Sequence, residues 1–159
     1  VANQGEMIIN PENIPDKTGS NYPEQFKHLV AGRSKKRLGD AAGLKNFGVN
    51  LTKLAPGSCS ALRHWHTKQD EFIYVLSGEL TLVTDEGEQI LTAGMAAGFP
   101  AGFADGHHLI NRSTSEAVYL EIGDKTPNDE VTYPDVDLVA KDSPNGWVFT
   151  HKDGSLYIS

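Results

Sequence analysis

Cysteine is almost absent. Cys59 is the single one in 159 residues, and methionine adds two. An intramolecular disulfide is therefore excluded, and a lone thiol suits a reducing compartment. With no second Cys beside it, Cys59 is expected to be a small core residue rather than a nucleophile or redox sensor. Positive charge is also scarce. Lys and Arg number 14 against 21 Asp and Glu, for a formal net charge of −7 and a sequence pI of about 5.3. That sign argues against nucleic-acid binding, which needs cations for phosphate. No apolar run approaches the roughly 20 residues that span a bilayer. No charged start followed by an apolar stretch marks a signal peptide in residues 1–15. The expectation is a cytoplasmic protein that engages neither membrane nor nucleic acid.

Long amphipathic helices, fixed-period repeats and low-complexity segments are missing as well. What is present is turn chemistry, with 16 Gly and 8 Pro. Hydrophobic content of 38% and charged content of 22% describe a folded chain. Its length fits one domain with a core of its own. Residues 1–25 read as an irregular arm, with Met7-Ile8-Ile9 as its apolar patch. The run Arg33-Ser34-Lys35-Lys36-Arg37 reads as a solvated face or loop. The sharper alternative is an anchor for an anionic substrate or an acidic partner.

From Phe47 the pattern is β. Phe47, Val49 and Leu51 alternate with Gly48, Asn50 and Thr52. The run Phe72-Ile73-Tyr74-Val75-Leu76 reads as a strand buried on both faces. Leu80–Thr84 and Gln89–Thr92 form a hairpin around Asp85-Glu86-Gly87-Glu88. His107–Asn111 and Ala117–Ile122 form a further pair around the loop at 112–116. The tail, with Pro127, Pro134, Pro144 and Trp147-Val148-Phe149, packs outside the sheets or pairs with an edge strand. About eight to ten short strands with regular turns predict an all-β sandwich or barrel.

Chemistry concentrates in two segments. His64 and His66 are two apart, so on a strand both imidazoles leave one face about 7 Å apart. Glu71 opens the apolar strand that follows, and a hairpin is expected to bring its carboxylate back over the pair. Two imidazoles and a carboxylate are half a metal site, suited to Zn, Fe, Mn, Ni or Co. In the second segment a turn at Pro100-Ala101-Gly102 precedes His107-His108-Leu109-Ile110-Asn111. Only one of the adjacent histidines can face inward. Trp65 and Arg63, of opposite parity to the His pair, are expected to face away from the metal. His28 and His151 are expected at the surface. No G-x-S-x-G elbow is present. The glycines at 94, 98, 102 and 106 lack the order of a phosphate loop.

The stretch Gly57 to Gly78 resembles the first motif of the cupin superfamily: Gly, spacer, His-x-His, a few residues, Glu, six residues, Gly. The stretch Gly94 to Asn111 resembles the second: Gly, five residues, Pro-x-Gly, spacer, His, three residues, Asn. The chain departs from the pattern with six residues between Gly57 and His64 and four between Gly102 and His107. The resemblance implies a jelly-roll-like cupin barrel over residues 45–123, with residues 1–44 as an arm and 124–159 as an extension packed on it. It also implies one divalent metal ion on His64, His66, Glu71 and, by its spacing to Asn111, His107.

A finer likeness, in Leu38-Gly39-Asp40, Asp70-Glu71-Phe72 and Tyr133-Pro134-Asp135-Val136-Asp137-Leu138, is to small bacterial cupins described as sugar-phosphate isomerases of the mannose-6-phosphate type. Three functions are then open: such an isomerase acting on a small molecule, an Fe(II)-dependent dioxygenase, or a non-catalytic binding barrel. The isomerase needs cations for a phosphate, with Arg112 or the run 33–37 as candidates. The dioxygenase could line an apolar pocket with Phe72, Tyr74, Phe99 and Phe103. The likeness further implies a homodimer in which the arm pairs across subunits. It leaves the catalytic base, the substrate and the native metal open.

Overall fold

A computed structural model describes residues 5–158. The first four residues of the expected arm and the last of the expected extension lie outside them. The described residues form thirteen strands. The first seven are β1 (Lys17–Thr18), β2 (Arg33–Arg37), β3 (Phe47–Leu54), β4 (Trp65–His66), β5 (Glu71–Ser77), β6 (Glu79–Thr84) and β7 (Gly87–Thr92). The rest are β8 (Ala96–Phe99), β9 (His108–Ile110), β10 (Ala117–Asp124), β11 (Glu130–Tyr133), β12 (Leu138–Ser143) and β13 (Gly146–Thr150). They exceed the expected number because the arm and tail contribute strands of their own. Among the described residues helix is confined to the 3₁₀ segments Pro11–Asn13 and Glu24–Val30 and the four residues Leu38–Ala41. Among the described residues no helix is long and apolar enough to cross a membrane.

The strands lie in three sheets, ordered β1-β2-β3-β10-β5-β8, β13-β12-β11-β4 and β7-β6-β9. They pack as a jelly-roll sandwich without one closed ring of hydrogen bonds. One core is filled by Leu54, Ile73, Val75, Leu80, Leu91, Leu109, Ala117 and Tyr119. A second is built by Leu62, Val131, Tyr133, Leu138 and Ala140, with Tyr22 and Phe26 of the arm and Phe149 of the tail against it. Each fully buried Leu or Val in these clusters contributes about 1.5–3 kcal/mol.

The basic run is strand β2, not a loop. It pairs in register with β3, Arg33 opposite Leu54 and Lys35 opposite Thr52. The hairpin β6–β7 forms where expected, but its turn is only Asp85-Glu86: Thr84 lies opposite Gly87, which has a left-handed φ, and Gly87 and Glu88 belong to β7. Two other expected hairpins are absent. β9 pairs with β6, whereas β10 pairs with β3 and β5, so the loop 111–116 crosses between sheets. Likewise β4 pairs with β11 and β5 with β10 and β8.

The faces of the six-stranded sheet also differ from expectation. Ile73 and Val75 are buried, but Phe72, Tyr74 and Leu76 are 42%, 40% and 43% exposed, so β5 is buried on one face only. On β3 the polar set points inward, with Thr52 buried and Gly48 and Asn50 lining an internal cavity. The apolar set Val49 and Leu51 shares the outer face with Leu120, Ile122, Phe72 and Tyr74, its register partners. Alternation alone gives the period of a strand but not which side is the interior.

Asn111 joins the sheets. Its fully buried amide donates to the carbonyls of Leu54 and Ser115, both at 2.8 Å, and its oxygen accepts from the Ser113 N–H at 3.0 Å. Removing it strands buried carbonyls, at about 1–3 kcal/mol. The Asn111→Ala variant should lower the urea midpoint by an amount equivalent to about 2 kcal/mol, with the slope unchanged. A loss under about 0.5 kcal/mol would show that Asn111 does not anchor the loop.

Candidate metal centre

His64 and His107 lie directly opposite each other, each N–H bonding to the other's carbonyl at 3.1 and 2.9 Å. Residues opposite across an antiparallel pair share a face, so both rings enter the barrel. His66, two residues on from His64, enters beside them from β4, held by its pairing with Val131 of β11. Glu71 arrives from the other side of the sandwich, at the start of β5. The loop 67–70 that carries the chain across is fixed at both ends. Lys68 N donates to Asp129 Oδ1 at 2.8 Å, and Asp70 N donates to Asp124 Oδ2 at 2.5 Å. The carboxylate thus meets the imidazoles across two sheets rather than within one hairpin.

The Nε2 atoms of His64, His66 and His107 lie 3.2, 2.9 and 3.2 Å from one atom, Glu71 Oε1. Ligand atoms of His64, His66 and Glu71 all fall within 4.8 Å of one another, a group that could hold a metal ion. The outward nitrogens explain the ring orientations. His64 Nδ1 donates to the Leu62 carbonyl at 2.7 Å, and His66 Nδ1 lies 2.5 Å from Asp129 Oδ2. A carbonyl can only accept, so His64 Nδ1 carries a proton and, when the ring is neutral, its Nε2 lone pair points at Glu71. The same holds for His66 when neutral. Two nitrogen lone pairs and a carboxylate directed at one point repel unless a proton or a cation lies between them. That donor set fits a divalent ion, and outer carbonyl or carboxylate partners of this kind orient metal-bound imidazoles. His107 is held differently. Phe99 stacks flat on its ring at 3.6 Å, and its buried Nδ1 has no partner among the described residues.

The electrostatics follow from burial and this crowding. Burial works to raise the Glu71 pKa, but the imidazoles of His64, His107 and His66 outweigh it and hold the carboxyl well below its usual range. Burial works to lower His66, but hydrogen bonds and charges from Glu71 and Asp129 outweigh it and raise its pKa to about 9. Burial wins at His107, whose pKa is lowered.

His107 is the inward member of its pair. His108 turns away, its Nδ1 2.9 Å from the Ala61 carbonyl. Arg63 faces away as expected and ties Asp135 to the loop by two bonds at 2.8 and 2.9 Å. His28 is exposed. His151 is half-buried, stacked on Tyr157 at 3.9 Å. Cys59 is half-buried and its thiol pKa is pushed up by burial, which suits no nucleophile. Trp65, expected outside the pocket, lines the larger cavity. Phe99 and Phe103 line that cavity, whereas Phe72 and Tyr74 lie on the outer face. Asp129 was not evident from the sequence. It is 1% exposed and lies in the tail, 58 residues beyond Glu71, with no motif around it.

Two cavities meet at the site, of about 620 and 400 Å³, and His66, Glu71, Phe99 and His107 line both. The larger is walled by Glu86, Glu88 and Asp105. The smaller runs over the polar inner face of β3 and β10.

In the metal-free protein, the protonated His66 adds stability below its ordinary pKa of 6.5 that is lost as pH rises through about 9. Titration of the ring by NMR should give a midpoint near 9, and Asp129→Asn should move it down by removing one of the two carboxylates. An unmoved midpoint in Asp129→Asn would mean that Asp129 does not set the charge of His66.

Residues 50–123 match the family model described as a cupin domain. No curated protein matches the sequence. Among solved structures, a sugar phosphate isomerase from a cupin superfamily, from Silicibacter pomeroyi, is 43% identical, with 96% of this chain and 97% of that one covered and a TM-score of 0.92. A candidate sugar phosphate isomerase from Acidithiobacillus ferrooxidans is 31% identical over 80% of this chain and 81% of its own, with a TM-score of 0.72. A polyketide cyclase from Streptomyces resistomycificus is 18% identical over 75% of this chain and 79% of its own, with a TM-score of 0.62, and shares the fold alone. With both motifs in order, their side chains converging inside a jelly roll and a likeness that spans the whole chain, the protein belongs to the cupin superfamily.

Proposed function

We propose that this cupin is a metal-dependent sugar-phosphate isomerase, with one divalent ion held by His64, His66, Glu71 and His107. The observation that carries the metal is the convergence of three imidazole nitrogens on one carboxylate oxygen. The full-length likeness to the Silicibacter isomerase supports the substrate class. A bound divalent ion supplies Lewis-acid polarisation of a carbonyl oxygen.

The chain's own residues do the rest. Asp129 and the Leu62 carbonyl fix the tautomers of His66 and His64, so both Nε2 lone pairs stay available. Phe99 closes one face of His107 and excludes water from it. The two cavities leave the four side chains open on two sides, with room for a small polyol.

Metal content is the first test, by plasma mass spectrometry on protein purified without a metal column. Wild type should carry near-stoichiometric zinc, manganese, nickel or cobalt, and His64→Ala should lose it. The metal-loaded protein should interconvert aldose and ketose phosphates, with activity removed by a chelator. Stoichiometric iron with oxygen consumption would contradict the isomerase in favour of a dioxygenase. Protein that takes up no metal even on addition would contradict the site.

A further inference from the structure

The smaller cavity has features that holding a metal does not require. Every Lys and Arg that lines either cavity lies in it, namely Arg33, Lys35 and Lys125, beside the carboxylates Glu71, Glu121 and Asp124, while the larger cavity is lined by acids and no Lys or Arg. Lys35 is shared with Glu121 at 2.8 Å, and Lys125 lies 3.5 Å from Asp40. Arg33 differs. It donates to the carbonyls of Ser60 and Gly19 at 2.6 and 3.2 Å and pairs with no carboxylate among the described residues. Its half-buried charge is uncompensated in a chain of net charge −7.

The cavity also holds an unused donor. Tyr119 lines it and is wholly buried, and among the described residues its hydroxyl meets no group but the buried hydroxyl of Thr52, opposite it on β3. Buried hydroxyls are rarely left unpaired, and a site that expects a ligand is one reason for it.

Beside Glu71, two glycines leave the wall of the cavity open. Gly48 lies opposite Gly123, and Gly123 lies opposite Glu71. Neither has a left-handed φ. An added Cβ would meet nothing closer than 3.9 Å at Gly48 and 3.8 Å at Gly123. Neither conformation nor packing therefore requires glycine. Glycine inside a strand weakens it, and commonly marks a point where a ligand approaches the backbone.

We propose that the smaller cavity seats the anionic group of the ligand, a phosphate monoester. Arg33 supplies the uncompensated charge, Tyr119 supplies a donor, and the Gly48–Gly123 pair leaves open volume beside the metal centre. The larger, acidic cavity then admits the uncharged end or the exit path. This assignment deepens the sugar-phosphate reading and rests on it for the identity of the anion.

The test is calorimetric titration of the metal-loaded protein with inorganic phosphate. Arg33→Gln and Gly48→Val should each weaken phosphate binding tenfold or more. Phe103→Ala, in the larger cavity, should change it less than twofold. Metal uptake should be unchanged in all three, and Gly48→Val should keep or raise the Tm, since valine favours a strand. Absence of phosphate binding by wild type, or binding indifferent to both Arg33→Gln and Gly48→Val, would overturn the assignment. Phosphate binding with the expected pattern but no isomerase turnover would uphold the cavity and remove the isomerase reading. Isomerase turnover with a KM indifferent to Gly48→Val would do the reverse.

Discussion

Glu71 Oε1 faces three imidazole nitrogens at 3.2 Å or less, and much of the interior is arranged around that meeting. Its components come from three places: β4 with its bridge to residue 107, β5 across the sandwich, and the tail behind them. A buried cluster of like-directed lone pairs is costly without a proton or a cation. The fold holds it by fixing each component separately. The reciprocal bonds between His64 and His107 align two rings, and the carboxylate of Asp129 fixes His66 and the crossing loop together.

The same constraint divides the interior. Near Leu54, Val75, Leu80 and Leu91 the sandwich is packed and apolar. Toward Glu71 the inner face of β3 and β10 turns to Gly48, Asn50, Glu121 and Gly123, and a cavity replaces the core. The sheet's apolar residues move to its outer face, where Phe72 and Tyr74 remain partly exposed in the single chain. A site that needs polar lining and open volume therefore takes stability from the half of the barrel that holds it.

This division explains what the sequence did and did not disclose. The shared face of His64 and His66 follows from local backbone geometry, whereas Glu71 as their partner and His107 rather than His108 are legible through the likeness to the cupin motifs. The strand at 72–76 and the hairpin at 84–87 were legible from the local pattern as well. Which face of β3 is interior was not, because an apolar–polar alternation carries no sign, and here the polar set lines the cavity. The crossings after His66 and after Asn111 look like hairpins in the sequence because chain distance cannot tell a turn from a passage between sheets. Asp129 and Tyr119 reach the site only through pairing with distant strands, and no nearby residue marks them.

X-ray absorption at the edge of the bound metal reads the ligand set of the four side chains. Three imidazole nitrogens and carboxylate oxygen at about 2.0–2.2 Å are expected, with one imidazole fewer in His107→Ala. A sulfur scatterer at about 2.3 Å, or a shell unchanged by His107→Ala, would contradict that ligand set.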